Sequence, residues 1–342
     1  MEQLPYWLLL LSTWVLVVFF QCANCYPSEC VLPFPRSYVV YHLDEQESID
    51  VDGKLDDKAW TRVSWTEDFI DIQGSDWKKP RFRTHAKMRW DDKYLYVGAF
   101  LQETDVWANQ TKHDSVGKCQ SYHIIYVRNY VQQPELTPVS SADLIGLFPF
   151  FTLIVQDKYW TVELALPFHN LVDHSPTASA PPRNKDQWRI NFSRVEWRVR
   201  NVHGHYEKVP NVPEDNWVWS SQSAINMHLP ERWGFIQFST DAINKTEFVP
   251  TPNWPVYSGL VMLYDAEKKF MAVNGYFTAN LTQLEIPSAL RTGQCDYEPA
   301  VQVEKTYNFE ATVKPNDQRL PVGHIRDDRL IWFSDKNRYL EI

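Results

Sequence analysis

The sequence lacks the short motifs by which many enzymes are recognised. It contains no G-x-S-x-G nucleophile elbow, no H-E-x-x-H zinc motif, no phosphate-binding P-loop and no G-x-G-x-x-G dinucleotide loop. Its 10 histidines are scattered without metal-ligand spacing. His203 and His205 fit a surface pair on a hairpin better than a metal site. We therefore expect no catalytic residue and no cofactor.

Paired carboxylates are the remaining route to catalysis, because glycoside hydrolysis needs two of them held across a sugar ring. Glu103 with Asp105, or Glu163 with Glu196, can be nominated. Nothing in the sequence brings either pair together. Hydrolysis therefore stays the weaker alternative.

Basic residues are in deficit, with 34 Lys and Arg against 43 Asp and Glu and a net charge of −9. An acidic chain is not expected to bind nucleic acid or to adhere to anionic membranes. The composition, 44% hydrophobic, is that of a globular protein. Its length allows two domains, one of them large.

Long apolar runs are absent except at the N-terminus. Trp7–Phe20 reads WLLLLSTWVLVVFF, which is short for a membrane span of roughly 20 residues and typical of a signal peptide. Ala23 and Cys25 are small residues that fit cleavage before Tyr26. Because the preceding residues include no Lys or Arg, an uncleaved membrane anchor is the alternative. We expect residues 1–25 to be a signal peptide and the protein to be secreted.

Cysteine is scarce, with five in the chain. Cys22 and Cys25 would leave with the signal peptide. The odd remainder, Cys30, Cys119 and Cys295, predicts one unpaired thiol or an intermolecular bond. Four sequons predict N-glycosylation of an exported protein; they start at Asn109, Asn191, Asn244 and Asn280.

Residues 38–238 read mostly as short strands separated by polar turns. The segments 85–89, 94–101, 159–166, 187–195 and 233–238 combine β-branched or aromatic residues with alternation of apolar and polar side chains. Many short strands without long helical periodicity favour a mainly β fold, a β-sandwich or barrel. We assign the sandwich to residues 31–240.

The pattern changes after residue 240. Residues 253–270 place apolar side chains at helical spacing, and Pro255 suits the first turn of a helix. The segments 307–313 and 329–333 are strand candidates. We expect a small α+β region over residues 250–342, with the boundary in the proline-containing stretch 248–255.

Residues 116–156 interrupt the strand pattern. Gly117-Lys118-Cys119 can be encoded by a sequence containing a splice-donor consensus, and residues 150–156 by a pyrimidine-rich tract ending in CAG. We hypothesise that this segment is translated intron; a real insertion loop is the alternative. A spliced transcript that keeps these codons would contradict the hypothesis. If it holds, Cys119 is accidental and Cys30 with Cys295 becomes the candidate disulfide.

Aromatic side chains are abundant, with 15 tryptophans. Flat rings bury the apolar faces of sugars, although each Trp is more often a core residue. Candidate sugar platforms are Trp77, Trp107, Trp197, Trp217 and Trp219. Core positions are expected for Trp60, Trp90 and Trp233.

One strand changes character along its length. Trp188, Ile190 and Phe192 share a parity that becomes charged at Arg194 and Glu196. A sheet face that turns from apolar to charged can mark the edge of a binding site. A solvated strand end or an Arg–Glu ion pair explains it equally well.

An ordered series of motifs resembles the family 9 carbohydrate-binding modules. Residues 49–60 (IDVDGKLDDKAW) resemble that family's opening motif, and residues 90–97 (WDDKYLYV) its following hairpin. Residues 113–116 (HDSV) and 159–167 (YWTVELALP) are similar to later strands. Residues 187–197, 217–220 and 232–238 resemble its closing strands.

This resemblance implies a carbohydrate-binding β-sandwich and a saccharide or glycan as the partner, with calcium left open. The alternatives are an O-glycosyl hydrolase role in carbohydrate catabolism, by family association, and a structural or adhesion sandwich without a sugar site. The predicted carbohydrate-binding residues are Trp107, Arg194, Glu196, Trp197 and Trp217. The sequence departs from the family where residues 110–113 and 222–229 lack the two stacking tryptophans, and where residues 117–156 replace a strand and hairpin.

Overall fold

The computed structural model describes residues 29–106, 158–172, 178–203, 205–304 and 307–334 with their side chains. Residues 123–128, 305 and 339–340 are described by their backbone. The predicted signal peptide, Trp107, Asn109 and Cys119 lie outside these residues. No helix in the described part of the chain is long and apolar enough to cross a membrane.

Contacts divide the chain into two units. The larger unit covers Phe34–Pro250, and the smaller combines Thr251–Leu340 with the residues up to Pro33. The division at Pro250 falls inside the stretch 248–255 in which the sequence places the boundary. The sequence assigns residues 31–33 to the sandwich, whereas the structure places them in the smaller unit.

The larger unit is built from strands. Its described strands are β1 (Ser37–His42), β2 (Ile70–Asp71), β3 (Thr84–Trp90), β4 (Tyr94–Gln102), β5 (His123–Arg128), β6 (Tyr159–Pro167), β7 (Gln187–Glu196), β8 (Val199–Val202), β9 (His205–Lys208), β10 (Asp215–Val218) and β11 (Gly234–Ser239). Short helices lie at α1 (Lys58–Thr61) and α2 (Phe168–Val172), and a 3₁₀ turn at Pro230–Arg232.

The strands of the main sheet share one buried core. Its strand order is β2-β10-β7-β11-β1-β3-β4-β6, β5 also pairs with β7, and β8 and β9 form a separate hairpin. Trp217, near one end of this order, and Leu164, at the other end, belong to the same buried cluster. The two ends of the sheet must therefore face each other across the core, as in a sandwich. The predicted mainly β fold is confirmed.

The five segments predicted as strands correspond to β3, β4, β6, β7 and β11. Alternation places Trp188, Ile190 and Phe192 in the core, as expected. Strand β5 lies inside the segment 116–156, where the sequence predicts no strand, and it pairs antiparallel with β7. The remainder of that segment lies outside the described residues, so the intron hypothesis stays a hypothesis.

The opening motif folds over the outer side of the sheet. Trp60 of α1 donates from Nε1 to Glu163 Oε1 at 2.7 Å, and the backbone N–H groups of Gly53 and Asp52 donate to Oε2 at 2.8 and 3.1 Å. Trp60 also packs in a second small core with Leu43 and other apolar residues. The motif residues thus satisfy a buried carboxylate of β6 and have a structural role.

The smaller unit packs one long helix on an antiparallel sheet. Helix α3 (Trp254–Asn274) ends at Gly275, whose φ of 80° is left-handed and whose N–H donates to the Met271 carbonyl at 2.9 Å. The further elements are a 3₁₀ turn (Leu281–Gln283), α4 (Ser288–Arg291), β12 (Tyr297–Lys305), β13 (Asn308–Pro315), β14 (Val322–Arg326), β15 (Ile331–Ser334) and β16 (Tyr339–Leu340). The sheet order is β12-β13-β14-β15-β16.

A disulfide between Cys30 and Cys295 joins the two sequence segments that make up the smaller unit. The Tyr297 hydroxyl donates to the Cys30 carbonyl at 2.5 Å, and Trp254 Nε1 donates to the Leu32 carbonyl at 2.9 Å. The structure therefore contains the predicted disulfide. Side chains of Tyr297 and Trp254 bind the same short N-terminal segment.

Candidate functional site

Charged side chains gather where β7 ends and β10 begins, beside the loop of residues 72–83 that connects β2 to β3. Arg194 of β7 is buried and is held by three acceptors. Its Nη1 donates to Thr84 Oγ1 and to the Gln102 carbonyl, both at 2.9 Å, and its Nη2 donates to Glu103 Oε2 at 2.8 Å. The guanidinium is thus fixed at the end of the apolar core face.

Glu196 lies two residues further along the same face. Arg81 of the loop donates from Nε to Glu196 Oε1 at 2.7 Å, and Trp217 of β10 donates from Nε1 to Oε2 at 2.9 Å. Arg194 Nη2 lies 4.0 Å from Oε2. A cation from the loop therefore compensates a carboxylate that the sheet buries.

Asp215 is directly opposite Glu196 in the pairing of β10 with β7. Lys78 of the loop forms an ion pair with Asp215 Oδ1, and Arg198 Nη2 lies 3.4 Å from Oδ2. Asp215 is buried, whereas the Lys78 side chain is 58% exposed. The loop thus reaches two neighbouring strands through Lys78 and Arg81.

Burial sets the electrostatics of this cluster. Desolvation raises the pKa of Glu103, and the Arg194 guanidinium opposes that rise. Desolvation likewise lowers the pKa of Arg194, against the attraction of Glu196 and Glu103. The charges stabilise one another in a region partly withdrawn from water. The network therefore holds these side chains in fixed positions.

Aromatic residues are sequence neighbours of the charged residues in this cluster. Trp77, next to Lys78, is 60% exposed. Arg81 Cζ lies 4.4 Å from the ring centre of Phe82. Trp197, which follows Glu196, is half-buried, with Lys208 Nζ 3.3 Å from its ring centre. We call the loop 72–83 with Asp215, Arg198 and Glu196 the charged rim.

The structure separates the predicted binding residues into two groups. Arg194, Glu196 and Trp217 lie together but are buried, and Trp217 is 1% exposed. A ring without a free face cannot stack on a sugar, so Trp217 is a core residue and not a platform; the same holds for buried Trp219. Trp197 is half-buried, and Trp107 lies outside the described residues.

The nominated carboxylate pairs have different surroundings. Glu163 is bound by Trp60 and the opening motif, whereas Glu196 is bound by Arg81 and Trp217. No residue named here binds both Glu163 and Glu196. Glu103 and Asp105 share local contacts: Glu103 Oε1 accepts from the Thr104 and Asp105 backbone N–H groups at 2.8 and 3.2 Å, and Asp105 Oδ2 accepts from the Thr104 hydroxyl at 2.9 Å. Glu103 Oε2 is bound by Arg194.

The asparagines of the sequons differ in solvent exposure. Asn191 is fully buried, and its Nδ2 donates to the Ser220 carbonyl at 2.8 Å. A glycan cannot occupy that nitrogen in the folded protein, so the Asn191 prediction is wrong for the native state. Asn244 and Asn280 are exposed, and Asn109 lies outside the described residues.

Metal ligands do not cluster in the described part of the chain, where no group of three or more His, Cys, Asp or Glu side chains could hold an ion. Calcium stays an untested expectation from the resemblance. The carboxylates of the charged rim are neutralised by Arg and Lys side chains instead.

Sequence reasoning missed Lys78, Arg81 and Asp215. Asp215 shares parity with Trp217 and Trp219, so the alternation of β10 could have placed it on the same face. Lys78 and Arg81 belong to a loop, and no local pattern connects them with carboxylates over 100 residues away.

Residues 51–118 match the family model described as Carbohydrate family 9 binding domain-like. This part of the chain resembles the family 9 carbohydrate-binding domains. The match extends across most of the opening motif, the hairpin of β3 and β4, and the loop of the charged rim. It supports the resemblance that the motifs carry. No curated protein matches the chain.

Solved structures with some similarity include two of a family 9 carbohydrate-binding module from Caldicellulosiruptor kristjanssonii. The complex with cellotriose is 14% identical with a TM-score of 0.33, and the complex with glucose is 16% identical with a TM-score of 0.35. They cover 63% and 62% of this chain, and all of their own. A putative carbohydrate-binding protein from Bacteroides uniformis is 11% identical, has a TM-score of 0.42 and covers 60% of this chain and all of its own. At TM-scores below 0.5, these structures add nothing to the functional inference.

Proposed function

We propose that the larger unit binds carbohydrate without catalysing a reaction, and that the charged rim is the binding surface. The match of residues 51–118 to a carbohydrate-binding family supports the class of ligand. The observation that carries the location is Trp77, a ring that is 60% exposed beside residues whose charges are fixed by buried partners.

The chemistry of the charged rim suits a sugar. A pyranose presents apolar C–H faces that an exposed indole can cover, and hydroxyls that need donors and acceptors. Lys78 has three N–H donors and gives one to Asp215, so donors remain for a ligand. Because Asp215 and Glu196 are anchored on adjacent strands, little ordering is required when a sugar binds.

Removal of the Trp77 ring tests the location. We expect Trp77→Ala to weaken saccharide binding by about 1–3 kcal/mol, since a ring face that the sugar would cover is lost. A glycan array that includes glucose and cellotriose would identify a ligand, and titration calorimetry would then measure the affinities of both proteins.

Tyr159 provides the matched control, since it is 57% exposed in the same unit but outside the charged rim. Tyr159→Ala should bind as tightly as the unchanged protein. Equal affinity of the Trp77 variant and the unchanged protein would remove the charged rim as the site. Absence of any glycan ligand would favour a structural or adhesion role. Trp217→Ala is unsuitable as a test, because it empties a core position.

We also propose that the protein is exported. The N-terminal sequence of residues 7–25 and the Cys30–Cys295 disulfide support this, because structural disulfides form in oxidising compartments. N-terminal sequencing of the protein from culture medium should begin at Tyr26. A product that stays membrane-bound with Met1 intact would indicate an anchor.

A further inference from the structure

A serine, a histidine and a glutamate are joined by two hydrogen bonds on the sheet of the smaller unit. His324 Nε2 lies 2.9 Å from Ser334 Oγ, and His324 Nδ1 lies 2.9 Å from Glu310 Oε1. The residues come from the neighbouring strands β15, β14 and β13. His324 is directly opposite Thr312 and Trp332, so Glu310 and Ser334 are its diagonal neighbours on one sheet face.

The partners determine where the imidazole proton lies. An ionised carboxylate only accepts hydrogen bonds, so His324 Nδ1 must carry a hydrogen and donate it to Glu310. In the neutral ring, Nε2 then has a free lone pair and accepts from the Ser334 hydroxyl. A histidine base activates a serine in this same arrangement, with the acid at Nδ1 and the hydroxyl at Nε2.

The ring is also held in place. Trp332 stacks on His324 with ring centres 4.9 Å apart and planes 8° apart. The other face of these strands is buried through Ala311, Ile325 and Phe333. The His324 side chain is 18% exposed and Ser334 is half-buried, so the group is partly screened from water without being closed off. Rigid placement of base and hydroxyl is what nucleophile activation requires.

We infer that Ser334 is an activated nucleophile that accepts acyl or phosphonyl groups from esters and related electrophiles. Ser334 Oγ forms a bond to the carbonyl carbon while its proton moves to His324 Nε2. The ester C–O bond then breaks, and the alcohol leaves with that proton. Glu310 stabilises the imidazolium that exists between these steps. This activity is independent of carbohydrate binding by the larger unit.

A fluorophosphonate probe tests the inference on the full-length protein. The Oγ–P bond forms, fluoride leaves, and peptide mass spectrometry locates the adduct. We expect Ser334 to be labelled about 100-fold faster than exposed Ser75, because general-base assistance is typically worth 10²–10⁴ in rate.

Variants separate activation from simple exposure. Ser334→Ala should abolish the adduct. His324→Gln should lower the rate at Ser334 about 100-fold, and Glu310→Gln should lower it less, since the base is kept. His205→Gln, an exposed histidine of the larger unit, should have no effect. Circular dichroism would establish that each variant is folded.

Two results would overturn the inference. One is labelling of Ser334 at the rate of Ser75, and the other is an unchanged rate in folded His324→Gln. Either would leave Glu310, His324 and Ser334 as a chain of hydrogen bonds that supports the sheet.

Discussion

Most buried charges among the described residues have hydrogen-bond partners that explain their position. Glu163 accepts from the Trp60 indole and from two backbone N–H groups, and Arg194 donates to three acceptors. Burial of such groups without partners would cost several kcal/mol each (roughly 2–7 kcal/mol for a polar group). The opening motif of the larger unit is therefore explained by its hydrogen bonds to a buried carboxylate.

Glu267 of α3 is less well satisfied. Its Oε2 accepts from the Thr278 N–H at 3.2 Å, while Oε1 has no hydrogen-bond partner among the described residues. Burial raises the pKa of Glu267 from 4.5 to about 7. Because the folded-state pKa is the higher one, protonation favours folding. Its stabilising contribution is full below pH 4.5 and is lost as the pH rises to about 7.

We predict that Glu267→Gln stabilises the smaller unit relative to the unchanged protein at pH 8 and has little effect at pH 5. The neutral amide removes the cost of a buried charge that exists only at the higher pH. Urea unfolding at both pH values measures the difference. The control is Glu304→Gln, an exposed residue of the same unit, whose effect should not depend on pH. A difference that is equal at both pH values would contradict the assignment of Glu267.

At the scale of elements, two glycines let large rings lie against strands. A Cβ on Gly234 of β11 would lie 2.5 Å from the Trp219 ring and 2.9 Å from the Arg36 carbonyl oxygen. A Cβ on Gly98 of β4 would lie 2.7 Å from Leu55 Cδ2. At Gly234 the added Cβ would meet a buried ring and a backbone atom. At Gly98 its nearest neighbour would be the end of a flexible leucine side chain.

We therefore predict that Gly234→Ala destabilises the larger unit more than Gly98→Ala does. Overpacking of a core costs typically about 1–3 kcal/mol, and Gly234→Ala should lie in the upper part of that range. Chemical unfolding followed by tryptophan fluorescence gives both values. Equal losses, or a larger loss for Gly98→Ala, would show that Trp219 and β11 can move apart.

At the scale of the whole molecule, the disulfide joins residues 265 positions apart. The smaller unit includes residues from both sides of the larger unit in the sequence. Cys295, Tyr297 and Trp254 contact its described N-terminal residues, 29–33. The cross-link therefore closes a long loop in the unfolded chain and restricts its conformations.

We predict that the double change Cys30→Ser with Cys295→Ser lowers the stability of the smaller unit by about 2–5 kcal/mol, the usual loss for a native disulfide. Calorimetric melting compared with the unchanged protein, with and without reductant, measures it. Saccharide affinity of the larger unit should stay the same. A melting temperature insensitive to both the substitutions and the reductant would contradict a stabilising role.

Local patterns were sufficient for much of the fold. Alternation along β7 placed Trp188, Ile190 and Phe192 inward and predicted the change to charge at Arg194 and Glu196. The helical spacing of residues 253–270 predicted most of α3. Strand and helix periodicities depend only on neighbouring residues, so the sequence carries them directly.

The binding surface was predicted only in part. The sequence shows a tryptophan at position 217 but not its depth, and so predicts a platform where the structure has a core residue. A sequon contains no information on burial, and so predicts a glycan on Asn191, which the structure buries. Both errors concern solvent access, which depends on what packs against a residue from elsewhere in the chain.

Local patterns in the sequence predict β3, β4, β6, β7 and β11, most of α3, the residues of β7 that alternate into the core, and the resemblance to a carbohydrate-binding family. The tertiary structure is needed to show that Lys78 and Arg81 neutralise Asp215 and Glu196, that Trp77 is exposed, and that Glu310, His324 and Ser334 meet on one sheet face. Periodicity is a property of a few consecutive residues. Contacts between distant segments depend on strand order and register, which are set by packing of the whole unit.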